Sequence, residues 1–89
     1  MTDLAATPRL ARGVKTTYDE TRRSHVVLFP EGVLVLNETA AAIVGLCDGR
    51  TTVAAITARL GERFDGVPAR DVAGLVARLA ARGVVETDG

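Results

Sequence analysis

Tryptophan is absent from this chain, and cysteine, histidine, methionine and tyrosine occur once each. Catalysis needs convergent polar groups, and so sparse a set leaves little to build with. The single cysteine, Cys47, excludes an internal disulfide framework. One cysteine and one histidine cannot complete a zinc site within the chain, and no glycine-rich loop has phosphate-cradling spacing. An excess of charge is lacking too, because eleven basic and eleven acidic side chains cancel. A balanced chain exerts no strong general pull on nucleic acid or anionic lipid, although a local patch can still form. No apolar run approaches membrane-spanning length, and the opening MTDLAATPRLARG lacks the apolar core of a signal peptide. These absences point to a soluble, cytoplasmic, non-enzymatic protein with no cofactor or metal of its own and no membrane or nucleic-acid partner.

What is present is an ordinary globular composition, 47% hydrophobic and 25% charged over 89 residues. A chain of this size buries roughly 60–65% of its unfolded surface, enough to fold but not to enclose a deep active site. Residues 1–12 read as a flexible N-terminal arm, with Pro8 disfavouring a long helix there. Residues 13–86 read as a single domain. GVKTTY and SHVVLF carry the β-branched and aromatic residues of strands. FPEG sets Pro30 and Gly32 at the favoured second and fourth positions of a type I turn. Strands near 13–18, 25–29 and 33–36 therefore make an antiparallel meander.

From Asn37 the period changes. Asn37 suits a helix N-cap and Glu38 the first turn, where negative charge complements the helix dipole. Ala40, Ile43, Val44 and Cys47 form one apolar stripe, and Asp48-Gly49 ends the helix. A second helix begins near Thr51 or Thr52 and turns Val53, Ile56, Leu60 and Phe64 inward. Pro68 opens a third helix with the stripe Val72, Leu75, Val76 and Leu79. Gly83 ends it, and VVE adds a short last strand. The expected class is α+β and winged-helix-like, a three-stranded antiparallel sheet followed by three helices.

Few residues invite a chemical role. His25 reads as a plain strand residue, and Cys47, on an apolar stripe, as a small buried hydrophobe. Arg70, Arg78 and Arg82 share a face of the third helix, with Asp71 beside it. That face suits plain solvation, a DNA recognition helix, or the rim of a peptide groove holding acidic side chains. Ala73, Gly74, Ala77, Ala80 and Ala81 keep the same helix low in profile. Alanine is simply a good helix former, but a mid-helix glycine costs about 0.5–1 kcal/mol. Gly74 therefore suggests a close approach by another backbone, from within the fold or from a partner. In the strand VLVL, Val33 and Val35 face one side and Leu34 and Leu36 the other. Something must cover the second face or the strand's edge: a partner, the N-terminal arm or a second copy in a homodimer.

The run LFPEGVLVLNETAAAIVGLCDG resembles the signature of the pyrroloquinoline quinone biosynthesis protein D family. The likeness rests on the Pro-Glu-Gly turn taken together with Leu36-Asn37, Thr39-Ala40 and Asp48-Gly49. It continues through TTVAAITARL and RDVAGLVARLAARGVV, where Asp71-Val72 matches a recurrent pair, and spans about residues 7–86. Leu75 stands where the family often has phenylalanine. The resemblance implies a peptide chaperone that binds a ribosomally made precursor, PqqA, and presents it to a radical S-adenosylmethionine enzyme, PqqE. It also implies that the peptide adds as a strand along VLVL, with side chains entering a cleft beside the third helix. The implied peptide-binding residues are then Val33, Leu34, Val35, Leu36, Gly74, Ala77, Arg78 and Ala81. A recognition domain of another peptide-modifying pathway and a winged-helix DNA-binding protein are the alternatives.

Overall fold

A computed structural model describes residues 4–87. In chain order the elements are β1 (Arg9–Leu10), β2 (Lys15–Asp19), β3 (Ser24–Phe29), β4 (Gly32–Leu36), α1 (Glu38–Gly45), α2 (Val53–Leu60), α3 (Ala69–Ala81) and β5 (Val85–Glu86). Strands β2, β3 and β4 form the expected antiparallel meander, with β3 in the centre. The α+β, winged-helix-like class is as the sequence implies.

Each boundary has a local cause. Between β2 and β3 the Asp19 carboxylate accepts from the backbone N–H of Thr21 at 2.9 Å and of Arg22 at 3.2 Å. Those bonds, the Arg22 one first, hold its carboxyl below the usual carboxylate range. Pro30 and Glu31 alone join β3 to β4, and Gly32 follows with φ +154°, a conformation that L side chains rarely adopt. Asn37 caps α1 by accepting from the Ala40 N–H at 2.7 Å, and Thr52 caps α2 through the Ala55 N–H at 3.1 Å. Pro68 precedes the first turn of α3, where its missing N–H costs nothing.

The core lies between one face of the sheet and the helices. Val27, Val53, Ile56, Val72, Val76 and Val84 are fully buried there, with Leu36, Ile43, Val44 and Leu79 nearly so. Among the described residues no polar side chain is buried without a hydrogen-bond partner. No helix among them is long and apolar enough to cross a membrane.

Three expectations need correction. Helix α2 ends at Leu60 rather than reaching Phe64, which follows in a turn and bonds back to the Leu60 carbonyl at 2.8 Å. Leu75 packs against the core but is only half-buried, unlike Val72, Val76 and Leu79 on the same stripe. The arm expected over 1–12 is docked over its described part, residues 4–11, while residues 1–3 lie outside the described residues. Ala6 and Pro8 are buried. The Leu4, Ala6 and Pro8 carbonyls accept from the N–H groups of Ala54 (3.0 Å), Val53 (3.0 Å) and Gly49 (2.9 Å). β1 pairs antiparallel with β5, Arg9 opposite Glu86 and Leu10 opposite Val85. Gly49, at φ +79°, sits so close that a Cβ there would lie 3.3 Å from the Arg9 Cβ. The segment is held because it satisfies backbone donors at the start of α2 that no helical carbonyl can reach.

Deleting residues 1–11 should therefore cost at least about 2 kcal/mol of stability, from lost apolar burial and from orphaned donors. Urea unfolding of the truncated and full chains tests this, since a loose arm could be removed without effect.

Candidate functional site

β4 pairs with β3 on one side only, so its other edge is free among the described residues. The docked N-terminal segment covers the start of α2 and strand β5 instead, which removes it as the cover for this edge. The register decides which groups the edge presents. Phe29 pairs with Gly32 across the two-residue loop, followed by Leu28 with Val33, Val27 with Leu34, Val26 with Val35 and His25 with Leu36. A two-residue hairpin closes on a pair that exchanges both hydrogen bonds, and bonded and non-bonded pairs then alternate. Gly32, Leu34 and Leu36 thus spend their main-chain groups on β3, whereas Val33 and Val35 turn theirs outward.

The side chains follow the same alternation. Leu36 is buried at 6% exposure and Leu34 packs against the core, whereas Val33 and Val35 are 53% and 51% exposed. Leu36 therefore has little side-chain surface to offer a partner on the edge.

Helix α3 meets the sheet near both ends of β4. At its C-terminal end the Arg82 guanidinium lies over the Phe29 ring, 5.8 Å from the centroid, next to the start of β4. Nearer its N-terminal end, Asp71, Leu75 and Arg78 line a cleft of about 400 Å³ shared with Asn37, just past the end of β4. Thr39, Ala40 and Ile43 of α1 and Gly66 and Val67 before α3 complete the lining. The cleft mixes the apolar side chains of Ala40, Ile43, Val67 and Leu75 with polar ones, and has one cation and one carboxylate on its α3 side.

Of the α3 residues expected at a site, only Arg78 lines this cleft. Gly74 and Ala77 are half-buried and Ala81 is exposed, at i, i+3 and i+7 on the strip that includes Arg78. A Cβ at Gly74 would meet only the Arg78 Nη1, at 3.6 Å. No other backbone in the described fold comes within 4 Å of it, so the close approach expected from within the fold is absent. Arg70 is exposed and does not line the cleft. Asp71 and Leu75 were not expected to line a site, and their signal was the unsatisfied helical period. Leu75 sits four residues from Asp71 and three from Arg78, on a polar-flanked face.

His25 is exposed and meets the Tyr18 ring edge-on, with centroids 5.1 Å apart. Cys47 is buried and its thiol donates to the Ile43 carbonyl at 3.3 Å. Burial first, and the Asp48 carboxylate second, push its pKa up to about 11, away from nucleophilic thiolate. No group of His, Cys, Asp and Glu among the described residues could hold a metal.

Residues 24–85 match the family model described as Coenzyme PQQ synthesis protein D (PqqD). A "PqqA binding protein" of Pseudomonas syringae pv. syringae is 47% identical over 72% of this chain and 68% of its own length. The "Bifunctional coenzyme PQQ synthesis protein C/D" of Methylorubrum extorquens is 43% identical over 89% of this chain, which spans only 22% of that longer protein. Among solved structures, the PqqD truncation of Methylobacterium extorquens PqqCD matches with TM-score 0.71 and 43% identity. That match covers 89% of this chain and 87% of the other. It is described as a functional, stand-alone recognition element for ribosomally synthesized and post-translationally modified peptides.

Two measurements test this geometry. Proline at Val33 or Val35 removes an N–H that faces open edge, so both variants should fold, whereas Leu34→Pro breaks the pair with Val27 and should lose cooperative melting. The thiol titrates harder in the fold than in the unfolded chain, where its pKa is near 9.0. Its contribution to stability is therefore complete below about pH 9 and drains away as pH rises through about 11. Cys47→Ala should flatten that alkaline decline in unfolding free energy.

Proposed function

The chain belongs to the family of coenzyme PQQ synthesis protein D, and from that membership we propose that it is a non-catalytic recognition module for the precursor peptide PqqA. The observation that carries the reading is the open edge of β4, with a cleft lined by α3 and α1 just past its end. A peptide strand added there takes main-chain hydrogen bonds from Val33 and Val35. Its inward side chains reach the cleft beside Leu75 and Ile43. Gly74, Ala77 and Ala81 keep the adjoining strip of α3 low enough for a second backbone to pass. Arg78 stands where an acidic side chain of the peptide would be held.

The chemistry itself is left to an enzyme, PqqE, to which the protein delivers its peptide in the cytoplasm. Holding the peptide in this way raises its effective concentration at the active site. A relative that carries synthesis proteins C and D in one chain fits such tethered working. DNA recognition is disfavoured because the chain's charge is balanced and Arg82 lies over Phe29. Without a basic track elsewhere, phosphate binding has little to draw on.

Titration with synthetic PqqA tests the reading. Amide exchange at residues 33–36 should slow more than at residues 53–60 of α2. Val35→Pro should lose most of the affinity, and Arg78→Glu should weaken binding while changing stability by less than about 0.5 kcal/mol. Tight, salt-sensitive binding of duplex DNA without binding of PqqA would overturn the assignment.

A further inference from the structure

Among the described residues, the sheet has a second face that no helix covers. Lys15, Thr17, Val26, Leu28, Val33 and Val35 share it, as the pairings Lys15–Leu28, Thr17–Val26, Leu28–Val33 and Val26–Val35 require. Three of its apolar side chains are open to solvent: Leu28 at 39%, Val33 at 53% and Val35 at 51% exposure. Val26 is on this face too and stands outside the main core, yet only 3% of it is exposed. Its cross-strand partners Thr17 and Val35 hem it in. A sheet face turned to water is expected to alternate to polar residues. Here β2 does so, while β3 and β4 do not.

The apolar row lies on the open edge itself. Val33 and Val35 expose their side chains, and by the hairpin register they also turn their main-chain groups outward. Both facts follow from one parity. A strand laid antiparallel on this edge must pair residue for residue with Val33 and Val35. Residues directly opposite one another across an antiparallel pair project to the same face. The residues bonded to Val33 and Val35 therefore stand on the outer row, not in the cleft.

We propose that the outer face of β4 is a second specificity surface for the bound peptide, reading side chains at two peptide positions spaced two residues apart. This deepens the peptide-binding reading above and rests on it. The occupant is the peptide because the patch is continuous with the edge that the peptide would occupy. The class of peptide it selects is an extended segment apolar on both faces, with β-branched or aromatic residues at the positions opposite Val33 and Val35. The position between those two turns inward to the cleft with Leu75.

The test uses synthetic PqqA and calorimetry. Threonine preserves the shape and β preference of valine while replacing a methyl by a hydroxyl. Each cross-strand pair contributes modestly, so Val33→Thr with Val35→Thr should weaken PqqA binding about 5-fold. A serine scan of PqqA provides a readout that does not depend on folding of the variants. Double-mutant cycles should show coupling between Val33 or Val35 and two peptide residues spaced two apart. The residue between them should couple to Leu75→Ala instead. Unchanged affinity and no such coupling, with amides of residues 33–36 still protected by peptide, would overturn this inference and leave edge binding standing. Loss of that protection altogether would overturn both. Unchanged peptide affinity, together with loss of a concentration-dependent dimer in sedimentation, would assign the face to a second copy and also overturn the inference.

Discussion

The two-residue connection Pro30-Glu31 sets the parity of β4, and nearly everything said of the surface depends on it. Proline presets its own φ, and glycine at position 32 supplies the φ of +154° that lets the chain re-enter the ladder at once. With Phe29 opposite Gly32, Leu34 and Leu36 must face the helices. A slip of one residue would place Val33 and Val35 in the core and reverse every outward N–H. Burial supports the turn in resisting that slip. Leu36 is 6% exposed, and the burial of a leucine side chain is worth about 1.5–3 kcal/mol.

The two ends of the domain are used elsewhere. The N-terminal segment and the last strand bind each other and the turn before α2, so that Asp48-Gly49 serves the fold in two ways. The Asp48 carboxylate gathers the N–H groups of Arg50 and Thr51, both at 2.8 Å, which lowers its pKa with the Arg50 bond as the largest cause. Gly49 donates to the Pro8 carbonyl. With this segment fastened across the start of α2, the described chain has nothing left to lay along β4. An uncovered edge is a standing invitation to pair with any extended chain.

Charge is spent locally in the same economical way. Asp19 and Asp48 shape turns, and Arg82 is drawn over an aromatic ring. Arg78 is placed beside a cleft that contains Asp71 rather than along an open basic track. A chain with balanced charge can thus keep a charged rim at a groove without acquiring a general affinity for polyanions.

Local chemistry made much of this legible in the residues themselves. Asn37 and Thr52 are caps because a side-chain oxygen can reach an unsatisfied N–H within one turn. The β-branched runs and the Pro-Glu-Gly turn announce the hairpin, and the apolar periods of α1 and α3 announce the helices. The family signature, concentrated in residues 28–49, pointed to the strand that forms the open edge. The docking of residues 4–11 was illegible, because its bonds run from carbonyls of ordinary residues to N–H groups more than 40 positions away. Leu75 packs against the core yet stays half-buried, because periodicity reports a helix face but not where the neighbouring element ends. Which valines point outward, and that they own both the free main-chain groups and the exposed side chains, was decided only by strand register and layer packing. Alternation makes two faces equivalent until three helices settle on one of them.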